Sequence, residues 1–185
     1  QLNRQEGKWA EKTEGPEWII SLYWNGPFHR EDSLGPLVGH KLRKCRLKKA
    51  AVIGTLDKPV HAMNLEVYAA YIRTHFPDHV IVAIDASVGS PDHVGFATLG
   101  KGALQPGWEF PKLMEVGDIS ITGIVGGPGS HDPVMLQSVR LSMVMKMADC
   151  ICESITLVER FWENTAINDK IFAFLLLLLG ENVNR

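Results

Sequence analysis

Val80-Ile81-Val82-Ala83-Ile84-Asp85 decides the fold. Five apolar residues in an unbroken run do not suit a strand with one face in water, which would alternate. They suit a central strand of a parallel sheet, buried on both faces, and the run is expected to end in Asp85. Upstream, Trp18-Ile19-Ile20-Ser21-Leu22-Tyr23-Trp24 is a β-branched and aromatic run stopped by Asn25-Gly26-Pro27, which predicts a first strand and a turn. From Ser33 to Leu47, Leu34, Leu37, Val38, Leu42 and Cys45 recur at helical spacing, with Lys41, Arg43, Lys44 and Arg46 largely on the other side. Ala51 to Leu56 predicts a second strand with Asp57-Lys58-Pro59 as its exit. A second helix follows from Asn64, with Leu65, Tyr68, Ala69 and Ile72 on one face and Pro77 just past its end.

Downstream of Asp85, Val94 to Leu99 and Gly102 to Leu104 are separated by Gly100-Lys101 and predict a hairpin or a paired edge. Ile119 to Val125 is another strand, broken by Gly126-Gly127-Pro128-Gly129. A long helix is expected from about Val134, with Leu136, Val139, Met143, Val144, Met147 and Ile151 as its apolar stripe. Parallel strands need crossover helices, so this alternation predicts an α/β fold, a three-layer sandwich around a mostly parallel twisted sheet. The expected organisation is a poorly ordered leader over 1–16, one domain over 17–153 and a helical C-terminal extension over 154–185.

The chain has 185 residues, 45% hydrophobic and 22% charged, with a formal net charge of -2, as expected of a globular protein and not of a disordered one. No strong positive charge calls for nucleic acid. The basic run Lys41 to Lys49 lacks interleaved aromatics and suits a solvated helix end that complements the helix dipole. Cys45, Cys150 and Cys152 form no CxxC pair, which suggests neither a disulfide framework nor a thiolate metal site and fits a reducing cytoplasm. Cys150 and Cys152 fall on the stripe of the last helix as packing residues. The polar stretch 1–15 has no apolar core of the kind a secretory signal needs, and Ile171 to Leu179 is far shorter than the ~20 residues that span a bilayer. No membrane association is expected, and the apolar tail suits a buried helix or a homo-oligomer contact.

Two carboxylates stand out by position. In open α/β sheets ligands bind beyond the carboxyl ends of strands, and Asp32 follows the first strand while Asp85 ends the third. Facing carboxylates can share a proton to act as acid and base on water, or hold a divalent metal. Asp32 can equally cap the first helix, and Asp85 can bond backbone amides in the next turn. His29, His93 and His131 lie in predicted loops at no metal-binding spacing. His61 precedes the second helix and is either a polar site residue or a structural one. Gly126-Gly127-Pro128-Gly129-Ser130 lacks both the Walker ending and the G-x-G-x-x-G spacing, so nucleotide binding is not predicted and a rim loop is. The residues call for no cofactor and no resident metal.

Asp32-Ser33-Leu34-Gly35-Pro36-Leu37-Val38-Gly39, Gly54 to Leu65, Ala83-Ile84-Asp85-Ala86, Val116 to Val125 and Leu136 to Ala148 together resemble the YyaC (DUF1256) family of sporulation proteins, over roughly residues 18–153. That family is similar to the germination protease, which degrades small acid-soluble spore proteins, and more distantly to hydrogenase maturation endopeptidases. The resemblance implies a phosphorylase/hydrolase-like α/β fold and an endopeptidase acting on a protein or peptide substrate in the forespore or mother cell of a spore-forming bacterium; the alternatives are a non-catalytic, partner-binding sporulation factor on the same fold and a metal-dependent endopeptidase of the maturation type. It implies Asp32 and Asp85 as the catalytic aspartates, and His61 and Asn64, inside a matching block, are expected to bind substrate or support the site; Gly126 and Gly127 are expected beside them from the glycine-rich loop, where the family usually carries Asn. In the maturation peptidases the matching acids, with a histidine, bind nickel. The loop Trp24 to Glu31 departs from the family pattern, and the Asp that follows it is kept.

Overall fold

The computed structural model describes residues 33–61, 63–104, 117–127 and 140–160, and residues 18–24 as backbone. In chain order these form β1 (Trp18–Trp24), α1 (Leu34–Cys45), β2 (Ala50–Ile53), β3 (Val60–His61), α2 (Leu65–His75), β4 (Val80–Val88), β5 (Ala97–Lys101), β6 (Ile119–Gly126) and α3 (Leu141–Arg160). The six strands make a mixed, mostly parallel sheet in the order β2-β1-β4-β6-β5, with β3 paired to the last two residues of β1. Only β5 runs antiparallel, against β6.

Alternation along β4 sorts the core into two. Val80, Val82, Ile84 and Ala86 join one apolar cluster with Leu34, Val38 and Leu42 of α1 and Val144, Met147, Ile151 and Ile155 of α3. Ile81 and Ala83 belong to the other, with Leu65, Ala69 and Ile72 of α2. β4 is thus covered on both faces, as its unbroken apolar run requires. The close fit of α1 and α3 depends on Gly123 of β6. A Cβ there would overlap Leu34 and come within 2.8 Å of Met147 Cε, so only glycine lets both helices lie directly on the sheet.

Several boundaries differ from the sequence expectation. β2 ends at Ile53 because Gly54 turns the chain at φ 95°, which leaves Leu56 43% exposed in a turn, and the short β3 follows where only an exit is expected. β4 does not end at Asp85. Its pairing with β6 carries the strand to Val88. Gly100-Lys101 is strand, not a turn, because both residues pair with Ser120 and Ile119, and the backbone turns at Gly102 instead, with φ 103°. Cys45 is exposed although it shares the apolar spacing of α1. α3 passes through residues 153 and 154 to Arg160. Its expected start near Val134, and the tail beyond residue 160, lie outside the described residues. Among the described residues no helix is long and apolar enough to cross a membrane.

Candidate functional site

The chain leaves β1 through α1 to β2 on one side and reaches β4, on the other side of β1, through α2. Strand order therefore reverses between β1 and β4, and in such sheets the crevice opens at the carboxyl ends of the strands that flank the reversal. Asp85 stands there. The β1–β4 ladder ends at Leu22–Ile84, while the β4–β6 ladder continues through Asp85–Thr122 to Val88–Gly126. Asp85 is 2% exposed, and its Oδ1 accepts the Ala86 N–H at 2.8 Å, just past the end of the β1 ladder. Alternation from Ile81 and Ala83 puts it on the side of the sheet that α2 covers.

A polar network holds the entry to α2 at the same edge. The Asn64 Oδ1 accepts the His61 N–H at 2.7 Å, and its Nδ2 donates to the Pro59 carbonyl at 3.1 Å. The same Nδ2 stands 3.2 Å from His61 Nε2. The Asn64 side chain is thus turned back onto β3 and not onto the first turn of α2. One residue group earlier, the buried Thr55 closes the β2–β3 connection, with its hydroxyl and carbonyl oxygens each accepting the Lys58 N–H at 3.2 Å. β1 is the shared neighbour of both halves, since Trp24 pairs with His61 and Leu22 with Ile84.

Of the other residues expected at the site, Gly126 ends β6 and its carbonyl accepts the Gly89 N–H at 2.9 Å, so it belongs to the edge by backbone alone. Gly127 follows half-buried, with Pro91 Cγ 3.5 Å from where a Cβ would stand. Asp32, His29, His131 and Pro128 to Ser130 lie outside the described residues. His93 sits in a short turn, Pro91–His93, with its ring edge-on to Phe96. Among the described residues no group of three His, Cys, Asp or Glu side chains could hold a metal. Cys152 is buried and Cys150 partly so, as packing residues of α3.

Sequence reasoning missed Thr55 and Thr122. Thr122 is drawn beside Asp85 by register, which no local pattern encodes. Thr55 is signalled only by a hydroxyl three residues before Lys58 in a Gly-containing connection.

A family model described as "Protein of unknown function (DUF1256)" matches residues 16–154. The uncharacterized protein YyaC of Bacillus subtilis (strain 168) is 40% identical over 139 residues, which cover 74% of this chain and 68% of that protein. Among solved structures, a point mutant of the peptidyl-tRNA hydrolase of Acinetobacter baumannii superposes with a TM-score of 0.51 at 13% identity, covering 94% of this chain and 97% of the other. A second structure of that hydrolase gives 0.51 at 14% identity, covering 90% and 94%. At these identities the likeness is one of fold.

Proposed function

The chain belongs to the DUF1256 family, and from that premise we propose that it is a peptide-bond hydrolase in which Asp32 and Asp85 activate water. The observation that carries this reading is the Asp85 carboxylate, held 2% exposed at the strand-order reversal of an α/β sheet. A carboxylate in such a place costs stability unless its environment is built for it, and sites of this kind are where acids and bases are tuned. Connectivity supports the second aspartate. The sequence places Asp32 directly before α1, whose first residue, Leu34, packs against Gly123, the register partner of Ala86.

In the proposed reaction one carboxylate takes a proton from water as the oxygen attacks the scissile carbonyl. The other, protonated, polarises that carbonyl and then donates its proton to the leaving nitrogen, giving a carboxylic acid and an amine. His61, Asn64, Gly126 and Gly127 line or support the cleft. The finer architecture we assign is a phosphorylase/hydrolase-like three-layer sandwich. The substrate class is small acid-soluble spore proteins, and the setting is the cytoplasm of a sporulating cell. The superposed structures are named for hydrolysis of peptidyl-tRNA, which makes that substrate the second reading, favoured by fold alone.

The test is to incubate purified protein with small acid-soluble spore proteins and, separately, with peptidyl-tRNA, and to follow loss of intact substrate. Cleavage of the proteins that disappears in both Asp32→Asn and Asp85→Asn supports the proposal. Cleavage of peptidyl-tRNA alone selects the second reading, and no cleavage of either leaves a partner-binding protein on a hydrolase fold.

A further inference from the structure

The Asn64 network fixes more than the entry to α2. The orientation of the Asn64 amide is set twice over by backbone groups whose roles cannot change. The His61 N–H can only donate, so the atom 2.7 Å from it is the amide oxygen. The Pro59 carbonyl can only accept, so the atom 3.1 Å from it is the amide nitrogen. It follows that the group 3.2 Å from His61 Nε2 is an N–H donor. A neutral imidazole has one bare nitrogen and one N–H, and a bare nitrogen is what faces a donor. We propose that Asn64 is a positioning residue that locks His61 in the Nδ1–H tautomer, so that His61 offers the cleft a hydrogen-bond donor, not a base.

Nδ1 is the free end of this arrangement. Among the described residues nothing bonds to it, and the His61 ring is half-exposed at the edge where Asp85 stands. A half-exposed, uncharged N–H with no partner among the described residues matches an electron-rich oxygen, and the chemical class it would take is a carbonyl that gains negative charge as water adds. This last step rests on the hydrolase reading. The tautomer assignment does not, because it stands on the three contacts of Asn64 alone. His61 then adds to the work of the two carboxylates: its N–H is a further donor to the oxygen of the scissile group, while Asp32 and Asp85 handle the protons of water and of the leaving nitrogen.

The experiment is a long-range proton–nitrogen correlation spectrum of protein carrying nitrogen-15 histidine, recorded at about pH 8, above the ordinary imidazole range. The expected wild-type spectrum shows His61 with its proton on Nδ1 and a bare Nε2. Asn64→Asp keeps an acceptor for the His61 N–H but replaces the donor facing Nε2 with a second acceptor, so the proton is expected to move to Nε2. A proton on Nε2 in the wild type, an even mixture of tautomers, or a folded Asn64→Asp whose tautomer is unmoved would each overturn the assignment. If Asn64→Asp fails to fold, the wild-type spectrum alone decides. For the donor role, His61→Ala is expected to lower kcat by on the order of 100-fold with KM little changed, as when one oxyanion donor is lost. Unchanged kcat in a protein that Asp85→Asn inactivates sinks the donor role and spares the hydrolase reading. Activity that survives Asp85→Asn sinks the hydrolase reading and spares the tautomer.

Discussion

Burial raises the Cys152 thiol from 9.0 to about 12, with Cys45 adding to the rise and Lys41 opposing it. Cys150 is raised as well, first by burial and then by Glu153, whereas Cys45 is exposed. The thiolate is the reactive form, so iodoacetamide at about pH 8 should label Cys45 first, Cys150 slowly and Cys152 only when the fold opens. Peptide mass spectrometry over time reads that order, and early labelling of Cys152 contradicts it. The same shift carries a stability consequence. A thiol raised in the folded state favours folding below the unfolded value, and that contribution is lost as pH climbs from 9.0 toward about 12. Gly123 makes a sharper residue-level prediction. The Cβ of Gly123→Ala must displace Leu34 and Met147, so urea unfolding should show a loss of about 1–3 kcal/mol.

Helix α1 meets α3 through contacts of unequal worth. Lys41 Nζ lies 2.6 Å from Asp149 Oδ1, but the two side chains are 23% and 55% exposed, so Lys41→Ala should cost less than about 1 kcal/mol. Ile151 is fully buried in the same interface, and Ile151→Ala should cost about 2–5 kcal/mol. Denaturant midpoints of the two variants check the ratio; equal losses would mean that charge, not packing, joins the helices. These helices were legible in sequence because Leu34, Val38 and Leu42, and Val144, Met147 and Ile151, repeat with the helical period. Strand ends were not, because they answer to partners. β4 runs past Asp85 on the strength of β6, and β5 absorbs Gly100-Lys101 because Ser120 and Ile119 pair with them. Within the site, Asp85 was visible as a charge ending an apolar run. Nothing in the i, i+3 spacing of His61 and Asn64 announces that the amide turns back onto the ring.

The parallel sheet brings to one edge residues distant in sequence: the end of β1, the β3–α2 entry, Asp85 and Gly126. Only the order of the strands does this, which is why Asp85, Thr122 and His61 could be named from sequence one by one or missed, but not assembled. The edge also carries a cost. Asp85 puts a carboxylate on the side of the sheet where Ile81 and Ala83 lead into the core, and Asn at that position can still accept the Ala86 N–H. Asp85→Asn should therefore fold, with a melting temperature equal to the wild type or higher, as expected where a site trades stability for activity. That variant makes the central claim directly measurable. Wild-type protein and Asp85→Asn are incubated with a small acid-soluble spore protein in oxygen-18 water, and the new carboxyl termini are weighed by mass spectrometry. The prediction is one oxygen-18 in each new carboxyl terminus with the wild type and no new termini with the folded variant; equal cleavage by both would contradict it.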